Sequence, residues 1–355
     1  MLAAFSADSV KQRMDQVRDY IMEVRSEYHS IDSQLMQGAA HFIRRLAPSV
    51  QDQRFLARLA ALVAKPRGFV DLHPHLADKH FSALWLYTSS EGYDGAFTHV
   101  KRTFRDPRAN PDELRLATFI VELINIDLFN FWYAEKGSAS FDGWVWRGLW
   151  MTAQDFAELY SKAYDLNIKN RYRSIPLALD SSSTSREEAL NFLKERKGEE
   201  GEVPVLQKIR VLGLTEPSLA CYIEAYPTSL VSTICATQIS KLSAFPKEGE
   251  VLLRGGFYQL LDVLETSEMV HEKPLKVVEM VMMNTNRDHP STPQGSHGDA
   301  PRKLIGSLVT SERIKFCRDY HEGKGQLHSA NLYAEALEME SQAFRRQYGQ
   351  NPPWG

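Results

Sequence analysis

The chain has 355 residues, enough for one large domain with helical additions. Its 42 Lys and Arg against 45 Asp and Glu leave a net charge of −3, so no basic field marks it for nucleic acid. The apolar run at 114–128 is broken by charges and too short to cross a bilayer. Three widely spaced cysteines, Cys221, Cys235 and Cys317, argue against a disulfide framework or a zinc site and fit reduced thiols in a cytoplasmic protein.

Residues 1–5 are apolar, but Ser6-Ala7-Asp8 comes at once after them, which is too short an apolar stretch for a secretory signal. Apolar residues then recur at alternating steps of four and three: Val10, Met14, Val17, Ile21, Val24, Tyr28, Ile31, Leu35. This heptad seam predicts a long helix capped by Asp8 or Ser9. The stripe suits docking on a core, and the alternative is a homodimer through the heptads. A shorter amphipathic helix is expected at 53–63, with Phe55, Leu59 and Leu62 on one face. The segment 113–131 is apolar on most sides and reads as a buried helix. His73, His75 and His80 lie close together and could suggest a metal, but no carboxylate or Cys partner has helpful spacing except Asp71 and Asp78, and no metal is expected. Trp85, Trp132, Trp146 and Trp150 read as core.

After Gly137 the texture changes from helical to β-rich. Strand-like runs at 144–146, 205–211, 220–223, 251–253, 257–263 and 276–283 alternate with turns. Helices are predicted at 153–163, with Thr152 as cap and Asp155 three residues on, and at 186–194. Without a regular βαβ alternation, the fold class is α+β: a mainly helical N-terminal part followed by a β-rich core. Gly255-Gly256 reads as a hairpin turn, 195–202 as a charged loop and 285–302 as a linker. Residues 303–348 return to helix, and Ala330, Tyr333, Ala336 and Leu337 faintly resemble one tetratricopeptide unit. The expected organisation is a helical extension at 1–50, the main domain at 51–289, and a linker with a helical tail at 290–355.

Three short segments carry chemistry. In the first, Glu248 and Glu250 stand at i and i+2 just before the apolar run Val251-Leu252-Leu253. On a strand pleat both would point to one face, where two acids repel unless a cation or a reaction uses them. The plain alternative is an acidic turn. In the second, Trp144-Val145-Trp146-Arg147-Gly148 ends an aromatic strand on an arginine. Its fork suits a pyrophosphate and the glycine allows close backbone approach; a surface salt bridge is the plain alternative. In the third, Leu179-Asp180-Ser181-Ser182-Ser183 puts Ser181 and Ser183 on one side of a strand, or else forms a serine-rich turn and helix cap.

The order Arg, Ser-x-Ser, Glu-x-Glu resembles the arginine-type (R-S-E) mono-ADP-ribosyltransferase family, in particular its intracellular eukaryotic branch, whose members often carry tetratricopeptide repeats. Val145-Trp146-Arg147-Gly148 is similar to the family's Val-Tyr-Arg-Gly. Ser181-Ser182-Ser183 with Ala189 and Phe192 has the spacing of its Ser-Thr-Ser and following helix, with Leu179 where an aromatic is usual. The segment 239–253 is similar to its catalytic loop, and Val278-Glu279-Met280 to its last strand. An earlier block begins at Ala83-Leu84-Trp85-Leu86-Tyr87-Thr88 and runs through Tyr93 and Thr98 to Lys101-Arg102. The resemblance covers about 83–289.

The resemblance implies a glycosyl transfer with NAD as substrate and a target protein presenting an arginine as partner; no metal, nucleic acid or membrane partner is expected. It implies that Arg147 binds the NAD phosphates, and that Ser181, helped by Ser183, orients the acidic loop and the nicotinamide ribose. Glu250 would bind the ribose 2′-hydroxyl and stabilise the oxocarbenium-like transition state, and Glu248 would face the incoming guanidinium. Tyr87 and Ser243 would be further NAD contacts, and 239–247 would meet the target. The rival readings are an NAD-binding module that transfers nothing, an NAD glycohydrolase, and an interaction protein built on the N-terminal heptads.

Overall fold

The computed structural model describes residues 111–134, 140–174, 179–227, 235–254 apart from 244, 257–285 and 300–355, with isolated positions before 111. The chain divides into two units. One comprises Met1–Ala139, Pro176–Leu179 and Ile239–Glu250; the other comprises Ser140–Ile175, Asp180–Gln238 and Val251–Gly355.

In the first unit, helix α1 (Pro111–Ala134) forms where 113–131 predicts one. Leu114, Ala117, Val121, Ile124, Leu128 and Phe131 are buried at alternating steps of three and four, the spacing of one helix face. Two buried polar side chains of this helix, Thr118 and Asp127, are hydrogen-bonded. The Thr118 hydroxyl donates to the Leu114 carbonyl at 2.8 Å, and Asp127 accepts the Leu84 amide at 2.9 Å. The heptad seam at 10–35 lies outside the described residues except around Val17, which is helical and buried. The helix expected at 53–63 and the histidines at 73, 75 and 80 also lie outside them. Among the described residues no His, Cys, Asp and Glu side chains gather as a metal site, and no helix is long and apolar enough to cross a membrane.

The second unit is built on a mixed sheet. Its strands are β1 (Gly143–Thr152), β2 (Tyr172–Ser174), β3 (Leu179–Ser183), β4 (Glu202–Leu212), β5 (Ala236–Gln238), β6 (Glu250–Arg254), β7 (Phe257–Val270) and β8 (Lys273–Met283). Leu179 and Glu250, the first residues of β3 and β6, belong to the first unit. The sheet order is β2-β7-β8-β4-β1-β3-β6-β5. β4 and β8 run parallel, while β1 pairs antiparallel with both β3 and β4, and β7 with β8. With helices α2 (Ala153–Tyr160), α3 (Arg186–Glu195), α4 (Glu216–Ala225), α5 (Ala300–Gly323) and α6 (Leu327–Tyr348), this is the α+β fold that the sequence texture predicts.

Period-two alternation assigns the two faces of the sheet. Val145 and Met151 of β1, Val205 and Ile209 of β4, and Val278 and Met280 of β8 share a core with Tyr160 and Ala163. On the other face, Leu206 and Val277 meet Ala189, Leu190 and Leu193 of α3, flanked by Trp146 and Trp150. Further along, Val281 and Met283 meet Leu304, Ile305 and Leu308 of α5 and Tyr333 and Leu337 of α6. Thr152 caps α2 as expected, accepting the Asp155 amide at 3.0 Å; the helix then tightens into a 3₁₀ turn over Ser161–Tyr164.

Two expectations need correction. The run 220–223 is not a strand but lies inside α4, which has a proline in its first turn and Thr215 in extended conformation as its cap. Four apolar residues cannot separate strand from helix by period alone. Gly255-Gly256, read as a hairpin turn, lies outside the described residues. The tight hairpin joins β7 to β8 through His271 and Glu272, both at positive φ (46° and 65°). Finally, α5 starts at Ala300, inside the expected linker, of which 286–299 lies outside the described residues.

Candidate functional site

The acidic loop belongs to the first unit and is closed on itself. The Ile239 amide donates to the Glu250 carbonyl at 3.0 Å, so the two ends of the loop meet. The Leu242 and Ser243 amides both donate to the Ile239 carbonyl, at 2.7 and 2.9 Å. The Ser243 hydroxyl accepts the Phe245 amide at 3.1 Å and donates to Glu250 Oε2 at 2.8 Å. Pro246–Glu248 then forms a 3₁₀ turn, with the Glu248 amide on the Phe245 carbonyl at 3.1 Å.

Glu248 and Glu250 do not share a strand pleat. Glu248 ends the 3₁₀ turn, and Gly249 comes next in the left-handed region at φ 59°, a conformation that strains any residue with a Cβ. Glu250 then opens β6. The two carboxylates differ accordingly: Glu248 is exposed, while Glu250 is 7% exposed and fixed by Ser243. Phe245, 44% exposed, stands on the same rim as Glu248. Tyr87 belongs to the same unit, where it is helical and only 1% exposed.

In the second unit, Arg147 forms an ion pair with Asp180, their side chains 15% and 2% exposed. Register places Arg147 opposite Gln207 of β4, whose side-chain amide donates to the Tyr160 hydroxyl at 2.7 Å. Tyr258 is packed on this face, and burial, followed by the Asp180 charge, pushes its phenol above the ordinary tyrosine range. Arg147 is therefore a largely buried cation in a polar cluster set into an apolar core.

The serines are arranged differently. Trp146 pairs with Ser183, so Ser183, and Ser181 two residues before it, face the α3 side, while Arg147 faces the opposite side. The Ser183 hydroxyl accepts the Ser185 amide at 2.9 Å, and Ser185 in turn caps α3 by accepting the Glu188 amide at 3.3 Å. The serine on Arg147's face is Ser182, whose hydroxyl donates to the Val251 carbonyl at 2.7 Å. Asp180 and Ser182 are the residues that sequence reasoning missed. Strand alternation puts them together, but only the pairing of β1 with β3 shows that Arg147 is their neighbour. Gly148 also has a clear cause: a Cβ there would lie 2.2 Å from the Ala189 carbonyl oxygen and 2.8 Å from Leu193 Cγ. The close backbone approach that this glycine allows is to helix α3.

No protein-family profile and no curated protein matches the chain. Among solved structures, the ADP-ribosyltransferase HopU1 of Pseudomonas syringae pv. Tomato DC3000 aligns at 16% identity over 68% of this chain and 97% of its own, with a TM-score of 0.39. Vis toxin, an ADP-ribosyltransferase from Vibrio splendidus, aligns at 14% identity over 71% and 85%, with a TM-score of 0.29. Plx2a, an ADP-ribosyltransferase toxin from Paenibacillus larvae, aligns at 15% identity over 60% and 90%, with a TM-score of 0.33.

Proposed function

We propose that this chain transfers ADP-ribose from NAD to an arginine side chain of another protein and releases nicotinamide. The observation that carries the reading is the acidic loop. A nearly buried carboxylate, Glu250, is fixed by a hydroxyl at the first residue of a buried strand, and an exposed carboxylate, Glu248, stands two residues earlier on a hydrogen-bonded turn. The sequence blocks around Arg147, Ser181 and 239–253 support the same reading by their resemblance to the arginine-type family.

The chemistry divides between the two acids. Positive charge develops at the ribose C1′ as its bond to the nicotinamide nitrogen breaks. A fixed anion at Glu250 opposes that charge without having to reorganise. A guanidinium nitrogen of the target then bonds to C1′ and gives up a proton. Arginine is a poor nucleophile because its pKa is above about 12, so an acceptor for that proton is required. Glu248, exposed on the rim, pairs with the guanidinium fork and takes the proton. Arg147, braced by Asp180, binds the NAD phosphates. Ser181, the more exposed of the two flanking serines, serves the ribose side, with Ser183 supporting it through the turn into α3. Tyr87 contributes through the packing of its unit.

The test is transfer of labelled ADP-ribose from NAD to polyarginine and to a cell extract. Wild type should label protein. Glu250→Gln should lower both NAD cleavage and transfer by roughly 10²–10³-fold. Glu248→Gln should keep NAD cleavage and lose transfer. Free ADP-ribose without labelled protein would make water the acceptor. A wild type that neither labels protein nor cleaves NAD would remove the reading.

A further inference from the structure

We propose that Ser243 is the positioning residue of the Glu250 carboxylate, and that its role is to hold that anion rather than to touch NAD. This deepens the transferase reading and rests on it for the meaning of turnover.

A hydroxyl has one proton to give and lone pairs to accept with, whereas an ionised carboxylate only accepts. The Phe245 amide already donates to the Ser243 oxygen at 3.1 Å, so the hydroxyl proton is the part that reaches Glu250 Oε2 at 2.8 Å. Ser243 is 5% exposed, so water competes little for this bond. Its backbone is fixed as well, through its amide on the Ile239 carbonyl at 2.9 Å. Ile239 itself donates to the Glu250 carbonyl at 3.0 Å. One short turn, 239–243, therefore holds Glu250 by both its main chain and its side chain.

The arrangement has two consequences. A donor aimed at the ionised form favours that form, so removing the Ser243 hydroxyl should make the carboxyl harder to ionise. The same hydroxyl oxygen also anchors Phe245, the first residue of the exposed rim that ends at Glu248. Rim and buried anion are thus tied through one side chain, and a target pressing on the rim acts on an anion already held in place.

The experiment compares the full chain with Ser243→Ala and Ser243→Thr, measuring kcat and KM for NAD cleavage across pH. Ser243→Ala should lower kcat about 10-fold, the loss of one hydrogen bond to a charged group, and leave KM within about twofold. The acid limb of its kcat profile should move to higher pH, and Thr, which keeps the hydroxyl, should restore both. A rise in KM at unchanged kcat would make Ser243 an NAD contact and overturn the proposal, as would an unchanged pH profile. Titration of the Glu250 carboxyl by carbon NMR without NAD needs no turnover, and it should show a higher titration point in Ser243→Ala than in wild type. An inactive wild type would sink the transferase reading, whereas an unmoved carboxyl titration would sink this one. Near-UV circular dichroism of each variant separates either result from misfolding.

Discussion

Ser183 and Ser243 make the same local bond and lead to different ends. Each is nearly buried, and each hydroxyl accepts the backbone amide two residues ahead, Ser185 at 2.9 Å and Phe245 at 3.1 Å. Ser183 turns the chain so that Ser185 can cap α3, a helix packed on the sheet through Ala189, Leu190 and Leu193. Ser243 turns the chain into an exposed rim and sends its proton to Glu250. The same turn chemistry serves a helix start in one unit and a carboxylate in the other. The use of each serine is decided by the residues on its C-terminal side: a run of helix formers after Ser183, a Phe-Pro and two spaced acids after Ser243.

The distinction can be tested from its largest expected effect downward. Glu250→Gln should cost the most activity, roughly 10²–10³-fold, while leaving the urea midpoint unchanged or raised, because it removes a nearly buried charge. On the other side, Gly148→Ala drives a methyl into the Ala189 carbonyl and should cost about 1–3 kcal/mol or more in chemical denaturation. Ser185→Ala removes a helix cap and should cost about 1 kcal/mol by the same measurement. Ser183→Ala should also lower stability. If it lowered activity per folded molecule as far as Ser243→Ala does, the contrast between the two turns would be lost.

The smallest effect sets the acid limit for these comparisons. His321 is buried, its Nδ1 lies 2.5 Å from the Gln326 side-chain oxygen, and its ring stacks on Tyr333 with centroids 5.4 Å apart. Burial holds its pKa below the ordinary value of about 6.5, so the unfolded chain takes up the proton at a higher pH than the fold does. Linkage gives the sign: this stability is present above about 6.5 and is lost as the pH falls from there through the depressed folded value. Urea midpoints at pH 7.5 and 5.5 should differ in that direction, and the His321 share of the difference should vanish in His321→Phe. A midpoint that rose on acidification by way of His321 would contradict the assignment.

The fold is readable in the sequence where the information is local. Short β-type runs mark β1, β4 and β8, and Thr152 with Asp155 three residues on shows the helix start at α2. The errors have particular causes. Residues 220–223 carry no period long enough to decide between strand and helix. The β7–β8 turn uses His271 and Glu272 at positive φ, without the glycine or asparagine that usually advertises such a turn. Glu248 and Glu250 read as one pleat only if Gly249 is extended, and it is left-handed. Asp180 is invisible as the partner of Arg147 because that bond depends on β3 lying beside β1, and strand order is not written in either segment alone.

That strand order also constrains how the chain is made. β4 lies between β1, complete at Thr152, and β8, complete only at Met283. Until then β4 presents one open row of amides and carbonyls along a strand rich in buried valine, leucine and isoleucine. A nascent or truncated chain that stops before β8 carries an adhesive edge, and its expected fate is aggregation rather than a smaller folded form.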